Sequence, residues 1–226
     1  MKVLVVAPHA DDETLGAGAT MARMATEGHE VTVCVMTGHG EDGPHPLWPR
    51  IAWDVVRGEA GKAMEVLGVK ELIFREIPAA IVAGYPIHKL CKEAVGVIEE
   101  VRPEVLFVPF LWDLHRDHRE MFHAFSVAWR PTSAAGKAIR EIYAYETLSE
   151  THWNTAYLEP GFMPNVHVDV SDFLEKKMEA LGCYKSQIQP APATRSLTAV
   201  RAQAMWRGAQ VGLHAAEAFV LVRRLI

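Results

Sequence analysis

Residues 2–7, Lys-Val-Leu-Val-Val-Ala, form a near-continuous β-branched run, the pattern of a strand buried on both faces of a parallel sheet. The period then changes. Residues 14–27 set Leu15, Met21 and Met24 among alanines, which predicts a helix stopped at Gly28. A second apolar strand is predicted over 31–37, completing a βαβ unit whose crossover is expected to be right-handed. The alternation continues with a helix over 54–67 closed by Gly68, a strand over 71–77, a helix over 87–101 stopped before Pro103, and a strand over 105–110. Such alternation predicts an α/β sheet with helices on both faces. The last hundred residues are less regular. Strand-like 141–146, 167–170 and 219–223 are interrupted by helix-like 171–184 and 199–211, so mixed or antiparallel additions are expected at the sheet edge.

The expected architecture is therefore one Rossmann-like α/β domain over 1–226, and no repeat, low-complexity tract or Gly/Ser linker divides it. Composition narrows the partners. Half of the 226 residues are apolar and 23% are charged, ordinary for a globular protein with a sizeable core. A net charge of -5 gives no electrostatic footprint for nucleic acid or an anionic membrane surface, so a small molecule is the expected ligand. Three scattered cysteines, an apolar start too short for a signal peptide and the lack of any apolar run of about eighteen residues together predict a cytoplasmic protein without membrane insertion. Assembly into a homo-oligomer is left open.

Two polar clusters carry the chemistry. The first strand runs straight into Pro8-His9-Ala10-Asp11-Asp12-Glu13, at the carboxyl end of a parallel strand, where open α/β sheets bind ligands. Adjacent carboxylates raise each other's pKa, and a cation relieves that conflict, although Asp12 or Glu13 at a helix start also reads as a simple cap. The fourth strand is followed by Trp112-Asp113-Leu114-His115-Arg116-Asp117-His118, on the same expected edge. Two imidazoles and a carboxylate from two strand ends make a common catalytic zinc complement with an open coordination position.

These two segments, with Thr37-Gly-His-Gly-Glu41, Glu59 through Gly68, the helix-like 171–187 stretch and Ala216-Glu-Ala-Phe219, resemble the zinc-dependent N-deacetylases of the LmbE-like and PIG-L family. The resemblance implies hydrolysis of the N-acetyl group of an N-acetylglucosamine-type sugar or conjugate, with release of acetate. It implies one zinc per chain, replaceable by other divalent ions, bound by His9, Asp12 and His118. Asp11 would be the general base on the activated water, and His115 the partner acid, oriented by Asp117. On this reading Asp117 raises the His115 pKa, which places the basic limb of the pH–rate profile above about 6.5. Glu41, Arg57, Trp112 and Arg140 are the expected substrate contacts. The family often carries Arg three residues before the position of Glu59, where this chain has Val56, and Tyr184 stands where many relatives have His. Two alternatives remain: hydrolysis of another amide-bearing small molecule, and a two-metal phosphoesterase, which metal stoichiometry separates. A nucleotide-binding module is disfavoured because Leu15-Gly-Ala-Gly18 falls inside the first predicted helix.

Overall fold

The computed structural model describes residues 1–40, 45–155 and 157–226. Strand β1 (Lys2–Ala7) lies in the middle of a seven-stranded sheet with β2 (Glu30–Gly38), β3 (Glu71–Pro78), β4 (Val105–Pro109), β5 (Glu141–Tyr145), β6 (Val166–Asp169) and β7 (Ala216–Arg224). The order is β3-β2-β1-β4-β5-β7-β6. The first five strands are parallel, while β7 runs antiparallel to both β5 and β6. This is the mostly parallel sheet with a mixed carboxyl-terminal edge that the hydrophobic pattern predicts.

Helices α1 (Asp12–Thr26), α2 (Arg50–Leu67) and α6 (Leu174–Cys183) cover one face, and α3 (Ile87–Val101), α4 (Arg116–Ala128) and α5 (Ala134–Ala138) the other. Alternate residues of β1 feed the two cores: Val3, Val5 and Ala7 pack towards α1 and α2, Leu4 and Val6 towards α3 and α4. A further helix, α7 (Leu197–Ala209), packs with α1 and α6 in a third cluster. Because β1 has β2 on one side and the parallel β4 on the other, the order in which strands are added reverses between β1 and β4, and their carboxyl ends flank a crevice.

Helix α1 is kinked at Ala17, where φ is -139°. A polar wedge explains the kink. The Glu217 carboxylate accepts the Ala19 and Thr20 N–H groups at 3.0 and 2.7 Å, and Lys177 Nζ donates to the Leu15 carbonyl at 2.7 Å and to Glu217 at 2.6 Å. The interrupted helix thus keeps its buried backbone groups paired. Gly16, beside the kink, is required by packing, since a Cβ there would lie 2.2 Å from Cδ2 of Tyr145.

A second buried pair joins Glu146 to Arg207 through two 2.7 Å hydrogen bonds, with His152 Nε2 at 2.7 Å from the same carboxylate. Burial pushes the Glu146 carboxyl up, but His152 and Arg207 together outweigh it and hold it below 4.5. A carboxyl lowered by folding stabilises the protein above its unfolded pKa, and that contribution is lost as pH falls through the folded value. Urea midpoints are therefore expected to drop below pH about 4.5, and Glu146→Gln to flatten that part of the curve. At pH 7 the same substitution should cost about 3 kcal/mol, because Arg207 is left buried without its anion.

Candidate metal centre

The sequence places the first cluster by ending β1 at Ala7 and starting α1 at Asp12, two residues earlier than the apolar periodicity predicts. Between them Thr37 holds the Pro8 carbonyl with its N–H and hydroxyl, at 3.1 and 2.6 Å. Asp11 then adopts φ 124°, a strained value for a residue with a Cβ. Glu13 secures it: Oε2 accepts the Asp11 N–H at 3.1 Å, while Oε1 accepts the Thr14 and Tyr184 hydroxyls at 2.6 and 2.5 Å. Glu13 is thus a buried anchor for the turn, and the Tyr184 hydroxyl helps to hold it in place.

The second cluster comes from β4 and α4. His115 caps α4, its Nδ1 accepting the Asp117 N–H at 3.2 Å, so His118 falls on the first turn and faces the crevice. Asp12 Oδ2 lies 3.2 Å from His9 Nδ1 and 3.1 Å from His118 Nε2. Each imidazole has an outer carboxylate. His118 Nδ1 lies 2.8 Å from Asp113, which also accepts the Thr151 hydroxyl at 2.6 Å, and His9 Nε2 lies 3.0 Å from Asp117. Such carboxylate–imidazole pairs fix the tautomer that leaves the other ring nitrogen free for a metal.

The donor set fits a divalent cation. His9, Asp12 and His118 offer ligand atoms within 4.8 Å of one another. His118 Nε2 and Asp12 Oδ1 are buried without a hydrogen-bond partner, the first being near Asp12 but not aligned for a bond. Burial pushes the Asp12 carboxyl up, yet His118 and His9 outweigh it and hold it well below 3.8. In a centre built this way, Asp113→Asn should weaken metal affinity about 10–100-fold without displacing a ligand. Competition against a chromophoric chelator measures it.

Asp11 sits beside this cluster, and its Oδ2 is also buried and unpartnered. Burial pushes its carboxyl up to about 8, against the pull of Arg195, whose Nη1 is 3.7 Å away. Arg195 also reaches Glu150 at 3.7 Å. A lone arginine in a Pro- and Ala-rich stretch before α7 carries no pattern, so sequence reasoning passes over it.

Four expectations need correction. The Asp117 carboxylate does not orient His115: it accepts from His9 and from the N–H groups of Ala80, at 2.5 Å, and Val82, at 3.3 Å. The backbone N–H of Asp117 orients His115 instead. Burial and the charges of His9 and His118 push the His115 pKa down to about 4, overcoming the raising effect of Asp117. At neutral pH His115 is therefore a neutral imidazole with its proton on Nε2, not an imidazolium. A cation at the cluster has the same sign as the charged histidines and acts in the same direction. Arg140 precedes β5, so it lies at the amino ends of the parallel strands, on the rim away from the site, where its N–H donates to the Glu104 carbonyl at 2.8 Å. Trp112 packs on the core with the Arg119 guanidinium 5.9 Å from its ring, outside the cavity lining. Arg57 does line the cavity, paired with Glu76 and 5.0 Å from the Phe74 ring centroid. Glu41 lies outside the described residues.

The cavity, about 390 Å³, opens beside His9, Asp11 and His115. Candidate ligands at the switch point of a parallel sheet, a carboxyl beside them and an adjoining chamber are the features of an α/β protein with a candidate metal centre. The chain belongs to the PIG-L family: the model described as "GlcNAc-PI de-N-acetylase" matches residues 4–129, across both clusters. It is 28% identical over 204 residues to the diacetylchitobiose deacetylase of Thermococcus kodakarensis, covering 82% of this chain and 70% of the relative. It is 32% identical over 189 residues to the 1D-myo-inositol 2-acetamido-2-deoxy-alpha-D-glucopyranoside deacetylase of Streptomyces griseus, covering 71% of this chain but only 58% of that longer relative. Among solved structures, the conserved protein TT1542 of Thermus thermophilus superposes with a TM-score of 0.76 at 26% identity, covering 100% of this chain and 96% of the other. The 4-carboxy-2-hydroxymuconate hydratase GalB of Pseudomonas putida has the same TM-score of 0.76 at 22% identity, covering 100% of this chain and 98% of its own, and so shares the fold.

Proposed function

We propose that the protein is a zinc-dependent hydrolase that removes the N-acetyl group from an N-acetylglucosamine-type sugar or conjugate. One observation carries the reading: two imidazoles and a carboxylate converge, each imidazole backed by its own carboxylate, beside a second carboxylate with a free oxygen in the cavity wall. The family and the deacetylases among its relatives support the acetamido substrate.

When bound at His9, Asp12 and His118, zinc supplies Lewis acidity, polarising the amide carbonyl and making water more acidic. The chain's own groups do the rest. Asp11 Oδ2 takes the proton of the attacking water and returns it to the leaving nitrogen as the C–N bond breaks, giving acetate and a free amine. His115, with Nε2–H fixed by the Asp117 N–H at Nδ1, donates a hydrogen bond to the negative charge that develops on the carbonyl oxygen. Arg195 pulls the Asp11 carboxyl down against its burial and so favours the ionised form that accepts a proton. The three free cysteines support a reducing, cytoplasmic setting, and among the described residues no helix is long and apolar enough to cross a membrane.

An acetate-release screen over N-acetylglucosamine conjugates with zinc-loaded protein tests the reading. Stoichiometric acetate and free amine are expected from at least one conjugate. Phosphate release from sugar phosphates without acetate would favour the two-metal alternative, and water addition to an unsaturated acid would place the chemistry with the hydratase.

A further inference from the structure

The cavity is much larger than an acetyl group needs: about 390 Å³ lies in the range that holds a whole small molecule. Part of its lining is apolar. Val35 from β2, Trp53 and Val56 from α2 and Phe74 from β3 form it, with Trp48 and Ala52 at the side. Trp48 and Trp53 meet edge to face at 5.9 Å and both pack against His45, at 5.4 and 5.5 Å, so the aromatic wall is braced before any ligand arrives.

Most polar groups on this wall are engaged, and Trp53 Nε1, which has no hydrogen-bond partner, is buried away from the surface. Arg57 pairs with Glu76, and the Thr37 hydroxyl donates to the Pro8 carbonyl at 2.6 Å. A polyol pressed against this surface loses hydrogen bonds to water and finds few replacements. An apolar ring or alkyl group loses none and removes apolar surface from water on both sides. Ser186, Gln187 and Arg195 also line the chamber: Ser186 is held by Glu59 of α2 at 3.0 and 2.6 Å, and Arg195 lies beside Asp11.

We propose that the Trp53–Val56–Phe74 wall is a specificity site that seats an apolar ring or alkyl group of the substrate, so that the protein prefers amides carrying such a group over all-hydroxyl conjugates. This rests on the amide-hydrolase reading and sharpens its substrate class. The group can enter on the amine side, as an aromatic or alkyl aglycone, or on the acyl side, as a longer acyl chain.

Three substrates separate these cases on zinc-loaded protein: phenyl N-acetyl-β-glucosaminide, the inositol glycoside of N-acetylglucosamine, and N-phenylacetylglucosamine. The phenyl glycoside or the phenylacetyl amide is expected to exceed the inositol conjugate in kcat/KM by about tenfold or more. Whichever of the two wins tells which side of the amide faces the wall. Trp53→Ala should shrink that ratio towards one. Ala52→Glu, at an exposed lining position that leaves the core untouched, should do the same by placing a charge beside the wall. Equilibrium binding of the same three compounds, measured by calorimetry, makes the test independent of turnover. Tighter binding of a phenyl compound without cleavage would support the apolar seat while overturning the deacetylase reading. Cleavage at equal kcat/KM with equal binding, or a preference that survives both substitutions, would overturn the seat and leave the deacetylase reading standing.

Discussion

Asp11→Asn is expected to lower kcat by roughly 10²–10⁴-fold with metal content unchanged. The substitution keeps the volume of the side chain and its ability to hydrogen-bond, and it removes only the proton acceptor. Asn also tolerates positive φ better than most residues, so the strained backbone at 124° should survive. The Glu13 bracket that holds this backbone acts on the Asp11 N–H, which the substitution leaves in place. The neighbouring aspartate separates the two roles. Asp12→Asn weakens a ligand, so its loss of activity should track metal content. Metal loss in Asp11→Asn with retention in Asp12→Asn would reverse the assignment.

His118→Ala is expected to remove stoichiometric zinc and with it nearly all activity. The ring is fully buried, bonded to Asp113 at Nδ1 and directed at Asp12 with Nε2, so nothing nearby replaces it. Asp113 would be left as a buried carboxylate without its imidazole, and Asp12 would keep only His9, which predicts a stability loss of about 3–5 kcal/mol in the same variant. Elemental analysis and thermal melts read the two effects separately. Full metal occupancy in His118→Ala would count against this residue as a ligand.

The framework and the centre differ in how far the sequence reveals them. Helix α3 runs from Ile87 to Val101, where its periodicity and Pro103 predict, and β1 likewise follows its β-branched run. Helix α2 begins at Arg50, four residues before the predicted start, because its first turn exposes Ile51 and offers no inward apolar stripe. Strand β7 begins at Ala216, three residues early, because the buried Glu217 reads as polar until Lys177 and the α1 kink are seen. At the centre, residue type and strand-end position were enough to bring the two clusters to one rim, while the family resemblance singled out His9, Asp11, Asp12 and His118 within them. Partner choice was not legible: whether Asp117 turns to His9 or to His115 depends on where α4 starts and on the N–H groups of Ala80 and Val82. Arg140 was misplaced for a simpler reason, since the residue before a parallel strand lies at the amino-terminal rim and the chemistry is at the other.

The same partner choice changes the expected pH dependence. With His115 held low by burial and by the neighbouring positive charge, Asp117→Asn acts through His9, and it should weaken metal binding rather than shift a basic limb.

The central claim is that one zinc, held by His9, Asp12 and His118, makes this chain an N-deacetylase. Acetate release from an N-acetylglucosamine conjugate, followed while metal-stripped protein is titrated with zinc, tests it directly. The account predicts no acetate from the stripped protein, a linear rise with added zinc and a break at one equivalent. Absence of acetate at every ratio, or a rise that continues to two equivalents, would contradict it.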